Sequence, residues 1–163
     1  MDTDDAYGGK GGDFFLLGDD PCLESENVFG GSGTDTVDYQ GQHEFQRLIV
    51  DLVAGTARKA IPGFAVVDEL RSVENLIGTN GNDVLRGSSE RNLLRGLGGN
   101  DVVRGRGRRD RLFGGPGSDQ IHGGWASDYL QGGPDHDYLY GGRGTDVCVD
   151  SSDAQSSCEG ATS

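Results

Sequence analysis

Aspartate recurs in this chain at a spacing that can gather hard oxygen ligands. From Gly78 to Val149 the sequence divides into eight nine-residue units without insertion, each beginning with glycine. The sixth position is Asp83, Asn92, Asp101, Asp110, Asp119, Asp128, Asp137 and Asp146 in turn. Calcium takes about six to eight oxygen ligands at about 2.3–2.6 Å, drawn from carboxylates and carbonyls. Glycine-rich turns expose backbone carbonyls, and every turn here but the one at Asn92 ends on a carboxylate. Magnesium suits such a set less well, because it demands tighter octahedral geometry and holds its water.

The residues between the aspartates must position them. Positions seven to nine read as a short strand with the eighth side chain on the face opposite to its neighbours. That eighth residue is Leu85, Leu94, Val103, Leu112, Ile121, Leu130, Leu139 and Cys148, a thin apolar core. Two units make one coil of turn, strand, turn and strand, and coils stack about 4.8 Å apart. Units eighteen residues apart then lie over each other. One edge collects Asp83, Asp101, Asp119 and Asp137; the other collects Asn92, Asp110, Asp128 and Asp146. The expected cation sites lie between successive coils, at Asp83/Asp101, Asp101/Asp119 and Asp119/Asp137, with carbonyls of Gly78, Asn80, Gly96, Gly98, Gly114 and Pro116 as further donors. Asp128/Asp146 is the best pair on the second edge. The fourth position is glycine in three of the four first-edge turns but Glu90, Arg108, Ala126 and Gly144 on the second, so the first edge is expected to bind calcium better. Arg106, Arg108, Arg109 and Arg111 are expected to substitute partly for metal on the second.

The pattern is G-G-x-G-x-D-x-U-x, with U apolar, and a fixed period of this kind signals a repeat architecture. Copies occur upstream as GGKGGDFFL at 8–16, with Asp13, and GGSGTDTVD at 30–38, with Asp35. Residues 1–7 fit the last seven positions of another unit. These motifs resemble the repeats-in-toxin, or haemolysin-type, calcium-binding nonapeptide family. The resemblance implies an all-β fold: a parallel β-roll, or right-handed β-solenoid, with several calcium ions bound between stacked glycine-rich turns. It also implies a secreted, extracellular bacterial protein in which the roll folds on meeting calcium and stabilises or helps export an attached catalytic or surface domain. On this reading the chain divides into N-terminal repeats (1–38), a repeat-poor connector or solenoid continuation (39–77), eight contiguous repeats (78–149) and a C-terminal cap (150–163). Family members with similar connectors continue the solenoid there without metal. The end of the chain, with Cys148 followed at a distance by Ser157-Cys158-Glu159, resembles the tails of other repeat proteins, which supports a cap.

Composition agrees with a cation-binding roll and excludes other classes. The chain has 163 residues, 30 of them glycine, with a formal net charge of −13 and 33% hydrophobic residues. Such a composition without order suggests disorder; the period overturns that reading. The array 78–149 holds nine acids and nine arginines, so the acidic excess lies in 1–77 and in the tail. A net-acidic chain argues against nucleic acid as a partner, and no apolar run is long enough for a membrane span. Cys148 and Cys158 could close a small loop in an oxidising compartment; Cys22 has no evident partner. In the connector, the alternation in Leu48–Val53 suits strands and Gly55 and Gly63 suit turns, with a helix across Asp68–Asn75 as the competing local reading.

Catalytic motifs are wanting. His43-Glu44 begins like a zinc-protease HExxH, but its fifth residue is Arg47. Ser32 lacks the second glycine of a nucleophile elbow. His122 and His136 fall at variable repeat positions. The expectation is therefore a calcium-binding module rather than an enzyme. Two alternatives stay open: an adhesion or polysaccharide-binding module acting through residues 104–111 or through Trp125, Tyr129, Tyr138 and Tyr140, and the tail of a secreted protease, lipase or toxin.

Overall fold

The structure is a computed structural model, and it describes residues 4–17, 25–41, 47–61, 64–150 and 158. Cys22, the His43-Glu44 pair, Pro62-Gly63 and most of the tail lie outside the described residues. Sixteen strands follow one another: β1 (Asp4–Lys10), β2 (Phe14–Leu16), β3 (Glu26–Ser32), β4 (Thr36–Asp38), β5 (Arg47–Asp51), β6 (Thr56–Ile61), β7 (Phe64–Arg71), β8 (Asn75–Ile77), β9 (Val84–Arg86), β10 (Leu93–Arg95), β11 (Val102–Arg106), β12 (Arg111–Phe113), β13 (Gln120–Trp125), β14 (Tyr129–Gln131), β15 (Tyr138–Arg143) and β16 (Val147–Val149). The described residues contain no helix. The segment Phe64–Arg71 is a strand, which removes the helical reading of Asp68–Asn75.

The strands form a parallel β-solenoid of about seven turns. One sheet runs β16-β14-β12-β10-β8-β4-β2, parallel throughout. The other runs β1-β3-β7-β6-β5-β9-β11-β13-β15. In the array, register advances by eighteen residues per coil: Leu85 pairs with Val103, Val103 with Ile121, and Ile121 with Leu139. The eighth-position side chains thereby stack in one column on each sheet. Leu85, Leu94, Val103, Leu112, Ile121 and Leu130 are fully buried, and Leu139 nearly so.

The two sheets differ at the connector. On one side β4 pairs directly with β8. On the other, β5, β6 and β7 form an antiparallel meander between β3 and β9. Because β6 runs against both neighbours, β5 stays parallel to β9 and β7 to β3, so the solenoid resumes on each side with its direction kept. The hairpin inserts two strands into one sheet that the other sheet lacks. It brings Tyr39, Lys59 and Asp68 into the interior, each 3% exposed or less.

At the C-terminal end Cys148 takes the core position of β16 and is joined to Cys158, with Cα atoms 5.7 Å apart. A crosslink over so short a loop contributes about 2–3 kcal/mol in the chain-entropy account.

Candidate metal centre

Each edge of the roll carries a ladder of aspartates tied coil to coil. On the first edge the Asp83 amide donates to Asp101 Oδ1 at 2.8 Å, Asp101 to Asp119 Oδ1 at 2.8 Å, and Asp119 to Asp137 Oδ1 at 2.9 Å. On the second the Asn92 amide donates to Asp110 Oδ1, Asp110 to Asp128 Oδ1, and Asp128 to Asp146 Oδ1, each at 2.8 Å. Since β2, β4 and β8 extend the second sheet, the same ladder continues upstream: Asp13 donates to Asp35 Oδ1 at 2.8 Å and Asp35 to Glu74 Oε2 at 2.9 Å. The sequence did not mark Glu74, because it lies outside any nonapeptide; only its register with the repeats could have found it.

These bonds use one carboxylate oxygen. The other, Oδ2, is buried and without a hydrogen-bond partner at Asp13, Asp35, Asp101, Asp110, Asp119, Asp128, Asp137 and Asp146. A buried, charged acceptor left unsatisfied carries the full desolvation penalty. The surroundings make it worse, for they are oxygens. Oδ2 looks into the notch left by the missing side chain of the first glycine of its own turn, and the carbonyl of the corresponding glycine one coil on faces the same notch. A Cβ on Gly78 would stand 2.7 Å from Asp83 Oδ2 and 2.8 Å from the Gly96 carbonyl; one on Gly105 would stand 2.7 Å from the Gly123 carbonyl and overlap Asp110 Oδ2. Carbonyls of Gly96, Gly114 and Gly132 on the first edge, and of Gly123 and Gly141 on the second, therefore meet the carboxylates, while the Gly105 carbonyl meets the Asn92 amide oxygen. Of the carbonyls expected from the sequence, Gly96 and Gly114 face these notches, Gly114 while accepting the Leu97 amide at 3.0 Å, and Pro116 accepts the Gly99 amide at 3.0 Å. The donor set, charged oxygens among carbonyls with no donor hydrogen, fits a hard divalent cation.

Burial is the chief cause of a shared electrostatic strain. It pushes the Asp101 and Asp110 carboxyls up to about 8, Asp119 to about 7 and Asp128 to about 6, with neighbouring carboxylates adding to it. Asp83 and Asp137 are raised for the same first reason.

At the upstream end of the array, Asp83 and Asn92 have both side-chain polar atoms bonded. Asp83 is bonded at both oxygens, Oδ2 by the Thr79 amide at 2.7 Å and Oδ1 by the Leu48 amide at 2.9 Å. Asn92 accepts the Ser88 amide at 2.7 Å and donates through Nδ2 to the Glu74 carbonyl at 2.6 Å. Among the described residues no three carboxylate, imidazole or thiol side chains converge, consistent with sites built from two carboxylates and backbone.

In the array, orphaned oxygens are equally many on the two edges, three on each. Backbone strain differs little between them: positive φ at side-chain-bearing residues falls on Leu97 and Asp135 of the first edge and on Arg106, Arg108 and Ala126 of the second. The fourth turn position adopts positive φ, met by Gly99 and Gly117 but also by Arg108 (φ 59°), Ala126 (φ 78°) and Asp135 (φ 81°). Side-chain-bearing residues pay about 1–3 kcal/mol for such a conformation, so the cost falls on both edges. Of the arginines expected to stand in for metal, Arg109 lowers the Asp128 carboxyl through its charge, a smaller cause than the burial that raises it, while Arg106 and Arg108 pair elsewhere. Arg106 forms a two-pronged pair with Asp51 at 2.8 and 2.9 Å, and Arg108 pairs with Glu90 at 2.7 Å. Neither guanidinium reaches the orphaned Oδ2 atoms of Asp110 and Asp128.

The model of the RTX calcium-binding nonapeptide repeat matches this chain in four overlapping copies, over residues 77–107, 96–130, 104–137 and 113–148. Those are the residues whose turns stack into the two ladders, and their family resemblance rests on the same glycine and aspartate positions that leave the orphaned oxygens. The stretch 77–148 thus matches the RTX calcium-binding nonapeptide repeats, and that match supports calcium binding by a β-roll module.

Proposed function

We propose that calcium binds between successive coils at Asp83/Asp101, Asp101/Asp119 and Asp119/Asp137 on the first edge, and at Asp110/Asp128 and Asp128/Asp146 on the second. Asp13/Asp35 forms a further site upstream. The observation that carries this reading is the row of buried Oδ2 atoms with no donor. The array 78–149 folds when calcium arrives, because two carboxylates about 5 Å apart repel by roughly 3 kcal/mol at an effective dielectric of about 20, and several such pairs rival a domain stability of about 5–15 kcal/mol. Binding and folding are then one event. Such a module works outside the cell, where calcium is plentiful, and rigidifies an attached catalytic or surface domain, with 1–38 and 39–77 as its upstream coils and connector and 150–163 as its cap. The module itself performs no catalysis.

Calcium titration of chelator-stripped protein tests this, followed by far-UV circular dichroism and Trp125 fluorescence with magnesium as control. A cooperative gain of β signal with calcium alone is expected. A full β signal in chelator, unmoved by calcium, would overturn it.

A second reading, binding of an anionic polysaccharide or cell surface, rests on the outer face of the nine-stranded sheet. Arg58, Arg86 and Arg104 point outward there, while Asp51 and Glu69 are already paired with Arg106 and Arg71. Beside them a groove of about 360 Å³ is lined by Arg104, Arg106, His122 and Trp125, and Arg143 lies 4.8 Å from the centre of the Trp125 ring. Glycan-array binding in calcium that is lost on replacing Arg86 and Arg104 by Ala, with the fold unchanged, is the expected result; equal binding by the variant removes this reading.

A further inference from the structure

The first-edge ladder does not stop at Asp83. The Leu48 amide donates to Asp83 Oδ1 at 2.9 Å, as an aspartate amide does in every coil further on. Leu48 pairs in turn with Lys59 on β6. Beyond it, the Glu26 amide donates to Asp68 Oδ1 at 3.0 Å, again the ladder bond, joining β3 to β7. The column thus runs Asp137, Asp119, Asp101, Asp83, Leu48, Lys59, then diagonally to Asp68 and Glu26. In the array it is a file of carboxylates. At the meander it contains an ammonium.

Lys59 is 3% exposed, and its Nζ lies 3.1 Å from Asp68 Oδ1 and 3.5 Å from Glu26 Oε2. Asp68 is fully buried, and its second oxygen accepts the Tyr39 hydroxyl at 3.2 Å. Both oxygens of Asp68 are therefore satisfied, unlike those of Asp101, Asp119 and Asp137. A buried lysine is rare unless paired, and here it is paired where the array leaves charged oxygens facing one another.

We propose that Lys59 is the resident cation of this edge: a covalently supplied ammonium that does at the meander what a divalent ion does further along. This rests on the reading of the array as calcium-dependent. The consequence is a division of the roll. The meander β5–β7, with Lys59 holding Asp68 and Glu26 and with Thr79 closing Asp83, keeps its fold in the absence of metal. It presents β9 with a finished, parallel β5 edge, so calcium-driven stacking starts there and proceeds towards β15 instead of nucleating anywhere along the array.

Amide hydrogen exchange on the full chain in chelator and in calcium tests the proposal, with wild type beside Lys59→Met, Lys59→Ala and the double variant Lys59→Met/Asp68→Asn. Wild type in chelator should keep protection across 47–71 while 84–149 exchanges freely. Lys59→Met leaves a buried carboxylate unpaired, and protection of 47–71 should fall by on the order of a hundredfold or more. The double variant, which removes both charges, should recover most of it. Lys59→Ala leaves room for an ion, so calcium should restore protection of 47–71, with one more ion bound per chain by isothermal titration. Two results overturn the proposal: 47–71 losing protection together with the array in wild type, or Lys59→Met keeping it. Protection of 84–149 in chelator would instead sink the calcium-dependence of the array, and Lys59→Met would still report separately on the ammonium.

Discussion

Replacing Asp119 by Asn is expected to move calcium binding and metal-free stability in opposite directions. Asp119 stands in the middle of the first-edge ladder, where its Oδ1 accepts the Asp101 amide and its Oδ2 is one of the orphans. That oxygen stands in the Gly114 notch, and the two sites proposed on either side of it are shared with Asp101 and Asp137. An asparagine with its oxygen on the ladder side keeps the acceptor that Asp101 needs and turns its amide nitrogen to the notch; Asn92 is turned the other way, its oxygen accepting the Ser88 amide of its own turn and its nitrogen donating to the Glu74 carbonyl. An asparagine in place of Asp119 cannot supply a charged ligand to either site. The calcium midpoint should rise at least tenfold, with about two fewer ions bound at saturation, since hard-cation affinity follows ligand charge. In chelator the same substitution removes a buried carboxylate from a row of like charges, so the metal-free roll should gain on the order of 1–3 kcal/mol. Asp83→Asn is the comparison: both of its oxygens already have protein donors, so its loss should cost less calcium and destabilise the metal-free state. Titration calorimetry with urea unfolding in chelator reads both signs. If Asp119→Asn weakens the fold in chelator, the orphaned oxygens are not the source of the strain.

The parts of this architecture that repeat were legible from residues alone, because a nine-residue period fixes both which side chain enters the core and which residue sits over which. Leu85 over Val103 and Asp101 over Asp119 follow from counting. The connector was not legible in the same way. Nothing in Arg47–Arg71 marks that β6 runs against its neighbours, because an alternating strand reads the same in either direction and its partners are set by the turns at Gly55 and beyond Ile61. Lys59 is the clearest case. A lysine in a strand reads as a solvent-side residue, and only the pairing of Leu48 with Lys59 turns it inward. Thr79 and Glu74 escaped for the related reason that they complete a ladder without occupying its sixth position. Arg106, Arg108, Arg109 and Arg111 were assigned to the ladder by proximity in sequence, yet side-chain direction takes Arg106 to Asp51 on β5 and Arg108 to Glu90, and leaves Arg109 to act on Asp128.

Acid should substitute for calcium. The carboxyls of Asp101 and Asp110 stand at about 8, Asp119 at about 7 and Asp128 at about 6 in the folded, metal-free roll, against about 4 for an aspartate in an unfolded chain. A folded-state value above the unfolded one means that the fold binds the proton more tightly. The stabilisation is fully present below about pH 4 and is lost as pH rises through the folded values, because stability falls with pH wherever the native state holds more protons. Between pH 5 and pH 9 in chelator, β signal and urea midpoint should therefore decline, most steeply from about pH 5 to 6, where the unfolded chain has already lost these protons and the fold still holds them, and should level off above about pH 8. With saturating calcium the slope should vanish or reverse, since the metal needs the carboxylates ionised and competes with the protons. The two curves should approach each other near pH 5, where protons occupy the oxygens that calcium otherwise holds, and diverge most at pH 9. Circular dichroism across that range, in chelator and in calcium, decides it. A metal-free roll that becomes more ordered as pH rises would mean that Oδ2 atoms find donors in solution, and the case for a cation in each notch would lose its footing.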